Sequence, residues 1–401
     1  MTGVGPGRVQ GLDVLRGFAL SGILLVNAQV MAGPYGGLGG GPETSATDRA
    51  AAWAVTALAE GKFYLLFSFL FGYSFVLQER AADAEGAAFA ARHLRRTVGL
   101  FALGTLHAVL LYPGDILTMY AVLALPLYGL RRLAPRTALR LAAGLVATLS
   151  LLLLVYGLLT VSTAGPPDAP HPGWAADTVA AHRGDAGAVI GVHLHDLRAQ
   201  LGADLLYAPD IFAAFLAGLA AARLGLAEGY GRDRARLRRV VVWWLSVGLA
   251  GGVATAVCVN GPLDGRWFFV GRAVDVLTAP ALTASYACGL LRLVRGWPAR
   301  VLAAAGRTAL TNYLTQSLVL ALVFTGYGLG RYGRTGTAAV LAGCLLLYVL
   351  QLAASRFLTA RVRYGPAELL LRTVTLARRP APSGSSSPAG PLRSDEPRPV
   401  P

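Results

Sequence analysis

The residues best suited to chemistry lie inside stretches of chain that are otherwise hydrocarbon. His107, in Gly104-Thr105-Leu106-His107, is the only histidine within an apolar run of membrane length. Its proton affinity suits a general base near neutral pH, although a lone interior histidine also serves as a helix-to-helix hydrogen bond. Pro113-Gly114 reverses the chain, and Asp115 then opens the returning helix at its positive end. Lys62, in Glu60-Gly61-Lys62-Phe63, is either a fixed positive charge for an anion or carboxylate, or a side chain that snorkels to the interface. Arg272 and Asp275 stand at i and i+3, able to pair with each other or to hold an oxyanion and orient a base. His107, Asp115, Lys62, Arg272 and Asp275 form the candidate catalytic set.

A second set suits substrate binding. Asp13, Arg16 and Asn27 share one stripe of the first apolar segment, and Asp210 and Arg307 stand in later ones. Asn312 and Gln316 belong to a polar stripe with Thr308, Thr311 and Thr315. An ionisable group within a span costs at least about 2.5 kcal/mol, so each is a functional candidate. Asp13 and Arg16 could simply neutralise each other at the membrane edge. The Thr308–Gln316 stripe could be interhelical glue worth about 0.6 kcal/mol per bond.

The elements that must carry these groups follow from composition. Of 401 residues, 55% are hydrophobic and 14% charged, and mean hydropathy is +0.53. Soluble domains carry about 25% charged residues; this chain requires a lipid bilayer as its partner. Ten candidate spans lie near 12–31, 53–78, 94–112, 115–130, 138–161, 205–222, 240–259, 268–291, 301–326 and 337–355, giving an all-α polytopic transmembrane bundle over 1–360. The first reads as a span and not a cleaved leader, because it carries Asp13 and Arg16 and nine more follow. Of the arginines, 26 fall on the side shared by both termini and six on the other. By the positive-inside rule both termini are cytoplasmic.

Outside the bundle, 162–204 reads as a solvated outer loop with four histidines, 361–379 as a cytoplasmic amphipathic interfacial helix, and 380–401 as a disordered Pro/Ser/Gly-rich tail. His193-x-His195 lacks a third ligand, so no metal is expected. The net charge of +15 comes without basic runs interleaved with aromatics, which argues against nucleic acid. Cys258, Cys288 and Cys344 read as buried hydrophobes. No phosphate-binding loop is present, which argues against ATP-driven transport. Oligomeric state is not readable. Asn27, Lys62, His107, Asp115, Asp210, Arg272 and Asp275 all fall in the outer half or rim of their spans, which predicts one water-filled cavity open to the outside.

The segments Arg8-Val-Gln-Gly-Leu-Asp13-Val-Leu-Arg16-Gly17, Gly61-Lys62-Phe63 to Gly72, Gly104 to Tyr120, and Gly306-Arg307-Thr308-Ala309-Leu310-Thr311-Asn312-Tyr313 occur in that order. Arg363-Tyr364-Gly365-Pro366-Ala367-Glu368 follows them. Together they resemble the YeiB-like bacterial membrane proteins, domain of unknown function 418; Leu369 stands where that family often has tryptophan. The family in turn distantly resembles transmembrane acyltransferases that use an intramembrane histidine and a cytoplasmic thioester donor. The resemblance implies that His107 acts as base or relay, and that Arg16 and Arg307 hold an acyl-CoA. It implies no resident cofactor. The acceptor would be an extracytoplasmic sugar, lipid or small metabolite. Proton-coupled transport of a polar or anionic solute, and a structural or assembly role, remain open beside it.

Overall fold

The computed structural model describes residues 10–35, 39–165, 174–226 and 234–377. Arg8, His171, residues 227–233 with Arg232, and the expected tail 380–401 lie outside these. The described residues form fourteen α-helices and no strand: α1 Gln10–Ala32, α2 Ala46–Leu58, α3 Lys62–Ala84, α4 Phe89–Leu110, α5 Ile116–Gly129, α6 Pro135–Thr163 and α7 Trp174–Arg183. Then come α8 Ala186–Arg223, α9 Arg234–Asn260, α10 Phe268–Leu293, α11 Gly296–Arg307, α12 Ala309–Phe324, α13 Thr337–Arg361 and α14 Pro366–Leu376.

Each of the ten expected spans coincides with a helix or a broken helix pair, but seven, not ten, of the segments are long and apolar enough to cross a membrane. The shortfall has physical causes. Helix α4 begins among Arg92, Arg95 and Arg96, and the 14 residues of α5 rise only about 21 Å against a hydrocarbon core of about 30 Å. The span expected over 301–326 is two helices broken at Thr308, whose φ of -110° and ψ of 34° interrupt the helical run. The span expected over 53–78 also contains a break, at Gly61 between α2 and α3, and still counts among the seven.

Leucines sort the bundle into inside and outside. Leu20, Leu24, Leu66, Leu70, Phe215, Leu216 and Leu219 are fully buried, where α1, α3 and α8 meet. Helices α6 and α13 instead present Leu151, Leu152 and Val155, and Leu345, Leu346 and Val349, outward. So broad an apolar exterior suits lipid contact. The stretch 162–204 is not a simple solvated loop. It contains α7 and the first half of α8, a 38-residue helix rising about 57 Å. His182 and His193 are buried there: His182 stacks on Tyr332 at 4.1 Å, and His193 Nδ1 lies 3.0 Å from the Val109 carbonyl. These contacts tie α7 to the segment between α12 and α13, and α8 to the C-terminal end of α4. His195 is exposed beside Asp196.

The helix expected over 361–379 is α14, and it is more than a surface float. Glu368 Oε1 accepts from the backbone N–H of Leu310 (2.7 Å) and Thr311 (3.1 Å), while Thr311 Oγ1 donates to Oε2 at 2.6 Å. One carboxylate therefore satisfies the open N-terminus of α12 where the chain breaks. Leu371 and Val374 pack on Gly99 of α4. Glu368→Ala strands two backbone donors, at a cost of about 1–3 kcal/mol. Amide exchange across 366–376 should then accelerate at least tenfold in hydrogen–deuterium measurements, with α1 and α3 unchanged.

Candidate functional site

Three polar clusters and one cavity account for every side chain singled out in the sequence except Asn27, which is half-buried in α1 and joins none of them.

The first cluster forms because Pro113-Gly114 folds α5 back on α4. Asp115 is the N-cap of α5, its Oδ2 accepting from Thr118 N at 2.8 Å and Thr118 Oγ1 at 3.0 Å. Its Oδ1 lies 3.0 Å from His107 Nδ1 and accepts from the Tyr313 hydroxyl at 3.2 Å. The imidazole and carboxylate meet at contact distance without the angle of a hydrogen bond, and His107 Nε2 has no partner among the described residues. The His107 ring packs on the Tyr313 ring at 5.0 Å. The approach depends on Gly104, where a Cβ would sit 2.4 Å from Asp115 Oδ2 and from Thr118 Oγ1. A buried base, a carboxylate that orients it and a phenol are the parts of a proton-transfer site.

The second cluster is ionic and dry. Lys62 Nζ lies 2.5 Å from Asp275 Oδ1, and Arg272 binds Glu60 and lies 3.8 Å from Asp275 Oδ2. Lys62 is 1% exposed, so it does not snorkel. The break at Gly61 makes this geometry: its φ of +79° turns α2 into α3, and a Cβ there would collide with Asp275 Oδ2. Tyr64 donates to Asp210 Oδ2 at 2.6 Å, and Tyr207 lies under the Arg272 guanidinium. Glu60, not the i, i+3 neighbour, is the chief partner of Arg272.

The third is the α12 stripe. Asn312 Nδ2 donates to Ser355 Oγ at 2.9 Å, Gln316 Nε2 to Gln351 Oε1 at 2.8 Å, and Gln351 Nε2 to the Asn312 carbonyl at 3.0 Å. These bonds tie α12 to α13, as interhelical glue does.

In place of one open chamber, the outer-half groups Lys62, His107, Asp115, Asp210, Arg272 and Asp275 stand buried in two clusters. A cavity of about 440 Å³ lies at the arginine-rich end. Five arginines (Arg16, Arg92, Arg96, Arg307, Arg372) face it against two glutamates, Glu85 and Glu368. Deeper, its wall is apolar and aromatic, with Ile23, Phe67, Leu70, Phe71, Ile116 and Leu117, and it ends at Tyr120 and Tyr313. Asp13 and Arg16 do pair at 2.8 Å, but Arg16 also reaches Ser74 at 2.5 Å and lines the cavity. His107 lies behind Tyr313, outside the wall. Most of the outer-half groups face one another: Lys62 pairs with Asp275, Arg272 with Glu60, and His107 stands beside Asp115.

Sequence reading missed His93, which α4 carries buried into the cavity wall. Its Nε2 lies 3.0 Å from the Ala124 carbonyl, and its ring stacks on Tyr128. Placing the span start at residue 94 excluded it. Arg96, Glu368 and Arg372 were likewise assigned to surface segments.

The family described as "Protein of unknown function (DUF418)" matches residues 221–378. "Uncharacterized protein YxaH" of Bacillus subtilis (strain 168) is 30% identical over 392 residues, covering 92% of this chain and 94% of the relative. The chain belongs to the DUF418 family. "Uncharacterized protein YeiB" of Escherichia coli (strain K12) is also 30% identical, over 94% of this chain and 98% of the relative. An "Uncharacterized 39.9 kDa protein in amylase 3'region" of Bacillus acidopullulyticus is 27% identical over 93% and 95%. For this DUF418 protein the likeness therefore extends over more than nine-tenths of the chain and beyond the matched C-terminal part.

Proposed function

We propose that this protein transfers an acyl group from a cytoplasmic acyl-CoA-type donor to an acceptor approaching from the outer side of the bacterial plasma membrane. The observation that carries the reading is the cavity: a mouth with five arginines leading to an apolar interior that stops one ring short of a buried His–Asp pair. Such a shape suits an anionic amphiphile, phosphates at the guanidinium groups and an acyl thioester inward. His107 Nε2 removes the proton of an acceptor hydroxyl or amine, whose heteroatom forms the new bond to the thioester carbon. The carbon–sulfur bond breaks, and the thiolate leaves with a proton. Asp115 orients the imidazole, and the Tyr313 ring must turn aside for donor and base to meet. The Lys62–Arg272 cluster is held as an ion network and not as an oxyanion site in this reading.

The test pairs purified protein in liposomes, given a labelled acetyl-CoA, with mass spectrometry of envelope glycans and lipids from a deletion strain and its parent. Arg96→Gln combined with Arg372→Gln should weaken coenzyme A binding by about tenfold per lost phosphate contact, about 1.4 kcal/mol each. Unchanged affinity would sink the donor assignment.

One observation favours a second reading, proton-coupled uptake of an anionic solute. The bundle is open at the basic end and sealed by the ionic cluster elsewhere, as in a carrier caught facing one side. Solute uptake into vesicles without any acylated product in the parent strain would select it.

A further inference from the structure

The ionic cluster has unequal numbers of charges. It gathers three carboxylates, Glu60, Asp210 and Asp275, and two cations, Lys62 and Arg272, all at most 4% exposed. Each cation has a carboxylate of its own: Arg272 holds Glu60, and Lys62 holds Asp275, which Arg272 also approaches. Asp210 is left over. No cation stands within salt-bridge distance of it among the described residues, its Oδ2 accepts only the Tyr64 hydroxyl, and its buried Oδ1 has no partner at all. The groups around it are Tyr64 from α3, Tyr207 from its own helix, and Arg272 and Asp275 from α10, so the nearest full charges include a like one. A buried carboxylate that has one hydroxyl donor and no cation of its own bears a desolvation cost that this single hydrogen bond does not repay.

We propose that this cluster is a proton-binding site, and that Asp210 is the group that carries the proton. Addition of H+ to Asp210 forms one O–H bond and leaves two cations against two carboxylates, a neutral set. The Tyr64 hydroxyl continues to donate to Oδ2, now the carbonyl oxygen, and the proton resides on Oδ1, the atom that otherwise lacks any partner. Glu60 also has one unpartnered oxygen, Oε2, but its other oxygen is engaged by the Arg272 guanidinium, whereas Asp210 has no cation in contact. The inference is independent of acyl transfer: it would hold for a carrier and for an enzyme alike.

Infrared spectroscopy of the full chain in liposomes at neutral pH separates the two protonation states directly. The wild-type minus Asp210→Asn difference should contain the carbonyl stretch of a protonated carboxylic acid, shifting on deuteration. Tyr64→Phe should displace that band by removing its hydrogen bond, with Glu60→Gln leaving it in place. A difference spectrum with the paired stretches of an ionised carboxylate instead would overturn the proposal, as would a band that survives in Asp210→Asn and disappears in Glu60→Gln. Should Asp210→Asn not fold, carbon-13 aspartate in the wild-type chain gives the same reading. A label-shifted acid carbonyl that responds to Tyr64→Phe supports the site, and its absence refutes it.

Discussion

Lys62→Met should be the most damaging single substitution in the bundle. The change removes a buried ammonium and leaves Asp275, 1% exposed, with only the more distant Arg272. Stranding one member of a buried pair costs about 3–5 kcal/mol. That is a large share of the about 5–15 kcal/mol by which proteins exceed their unfolded states. Thermal unfolding in detergent should show a fall of many degrees, or no folded protein at all. The double variant Lys62→Met/Asp275→Leu should recover much of the loss, because a well-packed apolar pair replaces both charges. If the single variant unfolds within a degree of the parent, the cluster is not the dry network described.

The second large effect concerns chemistry and not stability. His107→Ala should lower acyl transfer by about 10²–10⁴-fold, the usual contribution of a positioned general base. Binding of coenzyme A should stay within about twofold, since His107 lies behind Tyr313 and does not itself line the cavity. Asp115→Asn should be intermediate: the amide still caps α5 through its oxygen but loses the charge facing the imidazole. Retained transfer in His107→Ala with a fold verified by its melting curve would remove the histidine from the mechanism.

Much of this arrangement was legible from single positions. The Pro113-Gly114 reversal made it plausible that His107 and Asp115 approach, and the i, i+3 spacing gave the Asp13–Arg16 pair. The stripe with Asn312 and Gln316 has the spacing of interhelical bonding, and Ser355 and Gln351 stand opposite to take part in it. What resisted reading was direction around each helix. Sequence gives depth along a span fairly well, so Lys62, Asp210 and Arg272 were rightly grouped by height. Whether equal heights mean a wet chamber or a sealed network depends on which faces meet, and Glu60 completes the seal from a helix break that hydropathy does not mark. The cavity was missed for the same reason. Its arginines looked like inner-face anchors until α14 was seen folded against α4 and α12.

That C-terminal clasp bears on how the molecule is made. The wall holding Leu371, Arg372 and Leu376 is among the last described segments to leave the ribosome, after every long apolar helix has been inserted. A nascent chain halted before Pro366 would carry all seven of those helices yet no finished basin at the arginine-rich end, and an uncapped Leu310. Reporter fusions or truncations placed upstream of that proline should insert normally and still be inert, so correct insertion is no guide to competence.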